Sequence, residues 1–256
     1  MRWLGVLTAG ALAVLAGCAT GSKSSLYQYG VFDAPAVVEI KKLPRDRLNP
    51  QAKPHITCAR YGAFMVKEVD RGEKGAETLS IVPVDAKCAV ETPGEIRVDL
   101  EGYFKGVIGD YIFFDASDGW DGGMPFYVFS PDGRKLFEDS VENGAFALAS
   151  REGKNLRLQY TRVFHAPCSL YARTAECDGE VMALTGLGGE GAAPAMELPD
   201  CTKVYDQQLK DTAPEYVDAL KTSPSVLIYP VELQFDGEQV MISPSGVARS
   251  VCRVPM

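Results

Sequence analysis

Much of the chain alternates between apolar and polar residues with the period of two that is typical of half-buried β-strands. Residues 95–104 and 155–165 show this alternation most clearly. Residues 110–115 (Asp-Tyr-Ile-Phe-Phe-Asp) form a denser apolar run, which predicts a central strand. Turn residues separate the runs, as in the Pro-Asp-Gly sequence at 131–133. Closely spaced strands with such turns predict a mainly β fold, β-rich α+β, built from antiparallel sandwich or barrel-like sheets.

The apolar spacing becomes helical around residues 200–221, which predicts a short helical segment there. Within it, Thr212-Ala-Pro-Glu215 has the Thr-x-x-Glu form of a capping box. Its proline would fall in the first turn, where a missing N–H costs little. Strand-like spacing returns at 226–235 and 239–243, so these residues are expected to form a β-hairpin.

These patterns divide most of the chain into two regions. We expect a β-rich region over residues 27–185, whose last strand is Glu180–Thr185. We expect residues 200–256 to form a helix plus β-hairpin region packed on the same domain. The glycines at 186, 188 and 191, between the two regions, match the G-x-G-x-x-G spacing of dinucleotide sites. A proline follows at 194 and no helical pattern does, so this stretch is predicted to be an exposed loop.

The N-terminal residues follow neither pattern. Arg2 is their only charge, and the 15 residues from Trp3 to Gly17 are apolar or small apart from a threonine. A transmembrane helix needs about 20 apolar residues, so this run is too short. A short apolar segment that follows a positive start and ends in small residues is typical of a secretory signal.

The signal ends in Leu15-Ala16-Gly17-Cys18, which resembles the lipobox of bacterial lipoproteins. The resemblance implies that residues 1–17 are a cleaved signal peptide and that Cys18 is lipidated, for example with palmitate. It also implies that residues 18–26 form a lipidated tether, and that Ala19 favours transfer to the outer membrane. We therefore expect a lipid-anchored protein of the cell envelope that contacts the membrane through its lipid.

The cysteine count agrees with this expectation. Of the seven cysteines, assigning Cys18 to lipid leaves six, an even number that can pair in an oxidising compartment. A hairpin centred on Glu73 would place Cys58 opposite Cys88, and Cys168 and Cys177 bracket a segment short enough to close locally. Those two pairs leave Cys201 with Cys252. Six cysteines permit many other connectivities, so the pairing stays a prediction.

The net charge limits the classes of partner. The formal charge of the whole chain is −8, and removal of Arg2 with the signal makes it −9. An acidic chain lacks the basic footprint that nucleic acid requires, so no nucleic-acid partner is expected. A cationic partner would instead be attracted.

One connection combines several residues that could carry chemistry. Asp115 ends the predicted central strand, and the glycine-rich stretch that follows it contains Asp118, Trp120 and Asp121. Such a stretch can be an ordinary turn, a calcium site built from carboxylate oxygens, or a recognition loop. Trp120 is the only tryptophan outside the signal, and tryptophan is enriched at binding hot spots, although packing against the sheet is an alternative role for it.

Common catalytic signatures are missing from the sequence. It contains no Gly-x-Ser-x-Gly, Ser-x-x-Lys or His-Glu-x-x-His motif, and its only near-neutral bases are His55 and His165. We therefore expect a non-catalytic binding or interaction module without a cofactor, whose partner is an unknown envelope protein or polymer. Two alternatives remain: an envelope hydrolase that uses the carboxylates of residues 115–121, and a structural subunit of an envelope assembly.

Overall fold

A computed structural model describes residues 30–45, 47–72, 78–187, 197–237, 239–246 and 249–255. The lipobox, Cys18 and the tether lie outside the described residues, as do Gly188 and Gly191 of the glycine motif. In the described part of the chain, 45% of residues are in strands and 14% in helices, in two antiparallel sheets and three short helices. The predicted mainly β fold is confirmed.

The first sheet has five strands in sequential order. They are β1 (Val37–Lys42), β2 (His55–Arg60), β3 (Phe64–Asp70), β4 (Thr78–Pro83) and β5 (Ile96–Val98).

The second sheet is larger and has the order β13-β12-β11-β9-β8-β7-β6. Its first five strands are β6 (Gly102–Ile108), β7 (Tyr111–Ala116), β8 (Gly123–Phe129), β9 (Lys135–Glu142) and β10 (Ala147–Glu152). The others are β11 (Asn155–His165), β12 (Val226–Asp236), β13 (Gln239–Pro244) and β14 (Val251–Arg253). Strand β14 pairs with β12. Strand β11 pairs with β10 at residues 155–159 and with β9 at Arg162.

The described residues of the second half of the chain include three helices. They are α1 (Ala175–Thr185), α2 (Thr202–Lys210) and α3 (Val217–Thr222), and a short 3₁₀ turn, Pro214–Tyr216, precedes α3. The helical segment predicted around 200–221 is therefore present. No helix among the described residues is long and apolar enough to span a bilayer.

The two faces of β7 explain its dense apolar sequence. Ile112 and Phe114 pack towards the first sheet, in a cluster that includes Val66 and Ile81. Phe113 belongs to the main core on the opposite face of the second sheet. Because both faces of β7 are buried, nearly every position in it is apolar. The strand was predicted to be central, and it pairs with β6 on one side and β8 on the other.

The main core joins the second sheet to the helices. It contains Phe126, Leu158 and Leu233 from the strands, together with Val181 of α1 and Tyr205 of α2. All five side chains are buried. Strands β11 and β12 pair along eleven residues each, so the region after residue 200 adds strands to the sheet begun by the first region.

The structure confirms the three predicted disulfides: Cys58–Cys88, Cys168–Cys177 and Cys201–Cys252. The reasoning behind the first pair was wrong, however. We predicted a single hairpin centred on Glu73, but the chain already turns between β2 and β3, where Cys58 pairs in register with Lys67. Cys88 instead reaches Cys58 from the loop that follows β4.

A buried lysine holds that loop in place. The Lys67 side chain is 1% exposed, and its ammonium donates to the carbonyl oxygen of Val90 at 2.8 Å, to Thr92 Oγ1 at 3.4 Å and to the Glu95 carboxylate. An ammonium has three N–H donors, so these acceptors satisfy all of them. Lys67 therefore fixes the position of the segment that carries Cys88.

Two local predictions are wrong. Residues Glu180–Thr185 are not a strand but the second half of α1, which begins where Thr174 Oγ1 accepts a hydrogen bond from the Cys177 N–H. The Thr212–Glu215 capping box does not form either. The Thr212 hydroxyl donates to the carbonyl oxygen of Gln208, at the end of α2, and the next helical turn begins after Ala213 without a side-chain cap.

Candidate binding site

The connection between β7 and β8 ends in a tight turn. The N–H of Gly123 donates to the Trp120 carbonyl oxygen at 2.9 Å, and the residues between them have positive φ, 52° at Asp121 and 80° at Gly122. Positive φ at both central positions is the signature of a type I′ turn, for which Asp-Gly is a favoured sequence. The glycine-rich stretch therefore extends the β7–β8 hairpin.

Three neighbouring strands anchor this turn. Asp121 Oδ2 lies 2.8 Å from His165 Nε2 at the end of β11, and the Asp121 carbonyl oxygen accepts from Arg253 Nη1 of β14 at 2.7 Å. Arg253 Nη2 also donates to Glu142 Oε1 of β9 at 3.2 Å. A Cβ on Gly122 would collide with the Arg253 guanidinium, so the arginine packs directly on the turn. These contacts hold the turn in one position.

Trp120 lies at the exposed end of this arrangement. Its side chain is 60% exposed, and its ring centroid is 6.4 Å from that of His165, at an interplanar angle of 51°. The alternative in which Trp120 packs against the sheet does not hold. The structure instead presents a large, mostly exposed indole on an anchored turn.

Asp115 lies at the other end of the connection, near the C-terminal end of β7. Its Oδ2 accepts from Lys105 Nζ at 2.5 Å, while its Oδ1 is buried and has no hydrogen-bond partner among the described residues. Burial raises the pKa of Asp115, and the nearby Lys105 ammonium offsets part of that shift. Lys105 reaches the carboxylate from a β-bulge between Phe104 and Gly106 of β6.

The Lys105–Asp115 pair lies in a shallow cleft of about 460 Å³. Its remaining wall is formed largely by residues with little or no side chain, on the β7–β8 connection and on the bend between β9 and β10. The residues lining the cleft are Lys105, Asp115, Gly119, Gly122, Gly123, Met124, Asn143 and Gly144.

The structure does not bring the predicted carboxylates together. Asp115 pairs with Lys105 and Asp121 with His165, while Asp118 lies at the surface. No group of three or more His, Cys, Asp or Glu side chains suited to a metal occurs in the described ranges. The calcium alternative therefore has no support there, and a hydrolase would have to work with two carboxylates that each face a basic side chain.

Sequence reasoning missed several residues of the site. Lys105 and Asn143 gave no signal, because a bulge and a bend in the second sheet bring them to Asp115. His165 was noticed only as a base near Cys168, yet its partner is Asp121. The other histidine, His55, lies 3.6 Å from an aspartate in the first sheet and is unconnected with this site.

Comparison with known proteins adds no family to this description. No protein-family model, no curated protein and no solved structure matches the chain.

Proposed function

We propose that this protein is a lipid-anchored, disulfide-stabilised module of the cell envelope that binds a protein or polymer there without catalysis. The single observation that carries the binding role is Trp120, which is 60% exposed on a turn fixed by His165 and Arg253. An exposed tryptophan held in one position loses little conformational entropy on binding, which favours recognition. Its surroundings contain no recognised catalytic motif.

Burial of the Trp120 indole by a partner would contribute substantially to the free energy of binding. Burying on the order of 100 Å² of the exposed indole is worth about 2–3 kcal/mol at about 25 cal/mol/Å². That energy corresponds to about 30- to 150-fold in affinity. Trp120 alone therefore suffices to decide whether a partner is retained during purification.

The lipoprotein signal and the disulfides support the envelope location. Leu15-Ala16-Gly17-Cys18 supplies the lipidation sequence, and three disulfides are compatible with an oxidising compartment. Replacing Cys18 by Ser should release the protein from the membrane fraction, and mass spectrometry of the wild-type N-terminal peptide should find a lipid on Cys18. Unlipidated Cys18 in membrane-associated wild-type protein would contradict the anchor.

The binding role is tested by comparing two exposed aromatic residues. The full chain, the Trp120→Ala variant and the Tyr216→Ala variant are each used to capture partners from detergent-solubilised envelopes over a range of salt concentrations. Tyr216 is a matched control, since it is 63% exposed and lies outside the site. We expect one specific partner to be retained by the wild type and by Tyr216→Ala, and to be lost with Trp120→Ala. Equal retention by all three proteins would contradict the proposal.

A further inference from the structure

The Lys105–Asp115 cleft combines a hydrogen-bond acceptor and a donor that the fold leaves available. Asp115 Oδ1 is buried and accepts no hydrogen bond within the described part of the chain. Lys105 Nζ makes one hydrogen bond, to Asp115 Oδ2, and lies 5.5 Å from the centre of the Phe146 ring. A buried carboxylate oxygen without a donor is rare in folded proteins, so the Asp115 carboxylate has unused hydrogen-bonding capacity. The Asp115 side chain is 22% exposed at the cleft, where a ligand donor can reach it.

Asn143 supplies both kinds of group at the same cleft. Its φ of 56° fits the bend between β9 and β10, and it lines the cleft with an amide that carries both a donor and an acceptor. The next residue, Gly144, has a φ of 64°, and a Cβ there would lie 3.2 Å from Lys105 Nζ. The glycine therefore leaves the ammonium accessible from the cleft.

The charges in the cleft cancel. The Lys105 ammonium and the Asp115 carboxylate are 2.5 Å apart, with side chains 13% and 22% exposed, and no other ionisable side chain among the described residues lines the cleft. Neither an anion nor a cation would gain a net attraction. The complementary ligand is therefore neutral and carries a donor and an acceptor close together, as hydroxyl and acetamido groups do.

We infer that this cleft binds a neutral saccharide, with a sugar hydroxyl donating to the partly exposed Asp115 carboxylate and accepting from Lys105 Nζ while Asn143 bonds a neighbouring hydroxyl or acetamido group. Met124 and the bare glycine backbone provide a smooth surface for the C–H face of a sugar ring. A volume of about 460 Å³ lies within the range of small-molecule sites. The inference deepens the proposed function and rests on it for the envelope setting.

The test is a calorimetric titration of the full chain in detergent with two neutral probes, the trimer of N-acetylglucosamine and maltotriose. We expect saturable binding of at least one probe. Preference for the first would show that the acetamido group is engaged, and equal binding that hydroxyls suffice. No saturable binding of either probe up to about 10 mM, a very weak affinity, would overturn the inference.

Three variants locate the binding. Asp115→Asn should weaken the saccharide about 10- to 100-fold, because it replaces a charged acceptor. Asn143→Gly keeps the positive φ and the ion pair, so it tests the cleft even where Asp115→Asn folds poorly, and we expect severalfold weaker binding. Asp110→Asn removes the same charge at the exposed opposite end of the β7 hairpin and should bind like the wild type. Unchanged affinity in both cleft variants would overturn the inference.

The outcome is distinguishable from failure of the proposed function. Partner capture that depends on Trp120, in a protein that binds neither saccharide, would refute only the cleft assignment. Saccharide binding that Asp115→Asn weakens, without any partner that depends on Trp120, would refute the Trp120 surface and leave the cleft assigned.

Discussion

The three disulfides should stabilise the fold to different degrees, in the order of the loops that they close. Their sequence separations are 51 residues for Cys201–Cys252, 30 for Cys58–Cys88 and 9 for Cys168–Cys177. The entropy that a crosslink removes from the unfolded chain then gives about 4.1, 3.6 and 2.6 kcal/mol, respectively. A whole domain is stable by about 5–15 kcal/mol, so loss of either long-range crosslink should remove a large share.

The assay is urea unfolding of three double Cys→Ala variants, followed by far-ultraviolet circular dichroism. The Cys201/Cys252 variant should lose the most free energy of unfolding and the Cys168/Cys177 variant the least, and reducing agent should have no further effect on a bond already removed. The slope of the unfolding free energy against urea concentration must be compared between variants, because a more compact denatured state would change that slope. A loss for Cys168/Cys177 that equals or exceeds the loss for Cys201/Cys252 would refute the reasoning from loop length.

Three further substitutions test particular contacts. Glu95→Gln removes the counter-charge of the buried Lys67 ammonium and leaves it with neutral acceptors alone, so the free energy of unfolding should fall by about 3 kcal/mol in urea unfolding. A loss below about 1 kcal/mol would contradict this. The pKa of Asp115 is higher in the folded state than its unfolded value near 3.8. Its contribution to the free energy of unfolding is therefore complete at a pH below the unfolded pKa and is lost as the pH rises through the folded pKa. The stability of the wild type relative to Asp115→Asn should therefore decrease from about pH 4 to pH 7 in urea unfolding at several pH values, and a flat or rising difference would contradict the shift. Gly122→Ala should destabilise the fold by about 1–3 kcal/mol in thermal unfolding, since it strains a positive φ and collides with Arg253, and wild-type stability would show that the turn is not held as described.

The sequence predicted the features that depend on burial and on the number of cysteines. Dense apolar residues in β7 predicted a central strand, and the structure pairs β7 with a strand on each side and packs Phe113 and Phe114 into different clusters. The Cys58–Cys88 pair was also predicted, although from a hairpin that does not exist. The turn between β2 and β3 contains Gly62, and treating residues 56–69 as one strand overlooked it, so the register was misread.

Features that depend on tertiary contacts were not predictable. Residues 180–185 were misread as a strand, because α1 is capped by Thr174 and crosslinked at Cys177, and neither effect shows in local alternation. Lys105 and Asn143 reach the site through a bulge and a bend in the second sheet. The exposure of Trp120 depends on Asp121 pairing with a histidine 44 residues away along the chain.

The most direct test of the binding role is photo-crosslinking in living cells, with a benzoylphenylalanine placed at position 120 and, in a separate protein, at position 216. Both positions hold exposed aromatic residues in the wild type, at 60% and 63% exposure. If Trp120 contacts an envelope partner, ultraviolet light should produce a crosslinked adduct from position 120 and not from position 216. A protein partner should give an adduct of discrete mass, and a polymer partner should give an adduct whose mass falls when the polymer is digested. Equal crosslinking from both positions, or none from position 120, would contradict a binding module that recognises its partner through this turn.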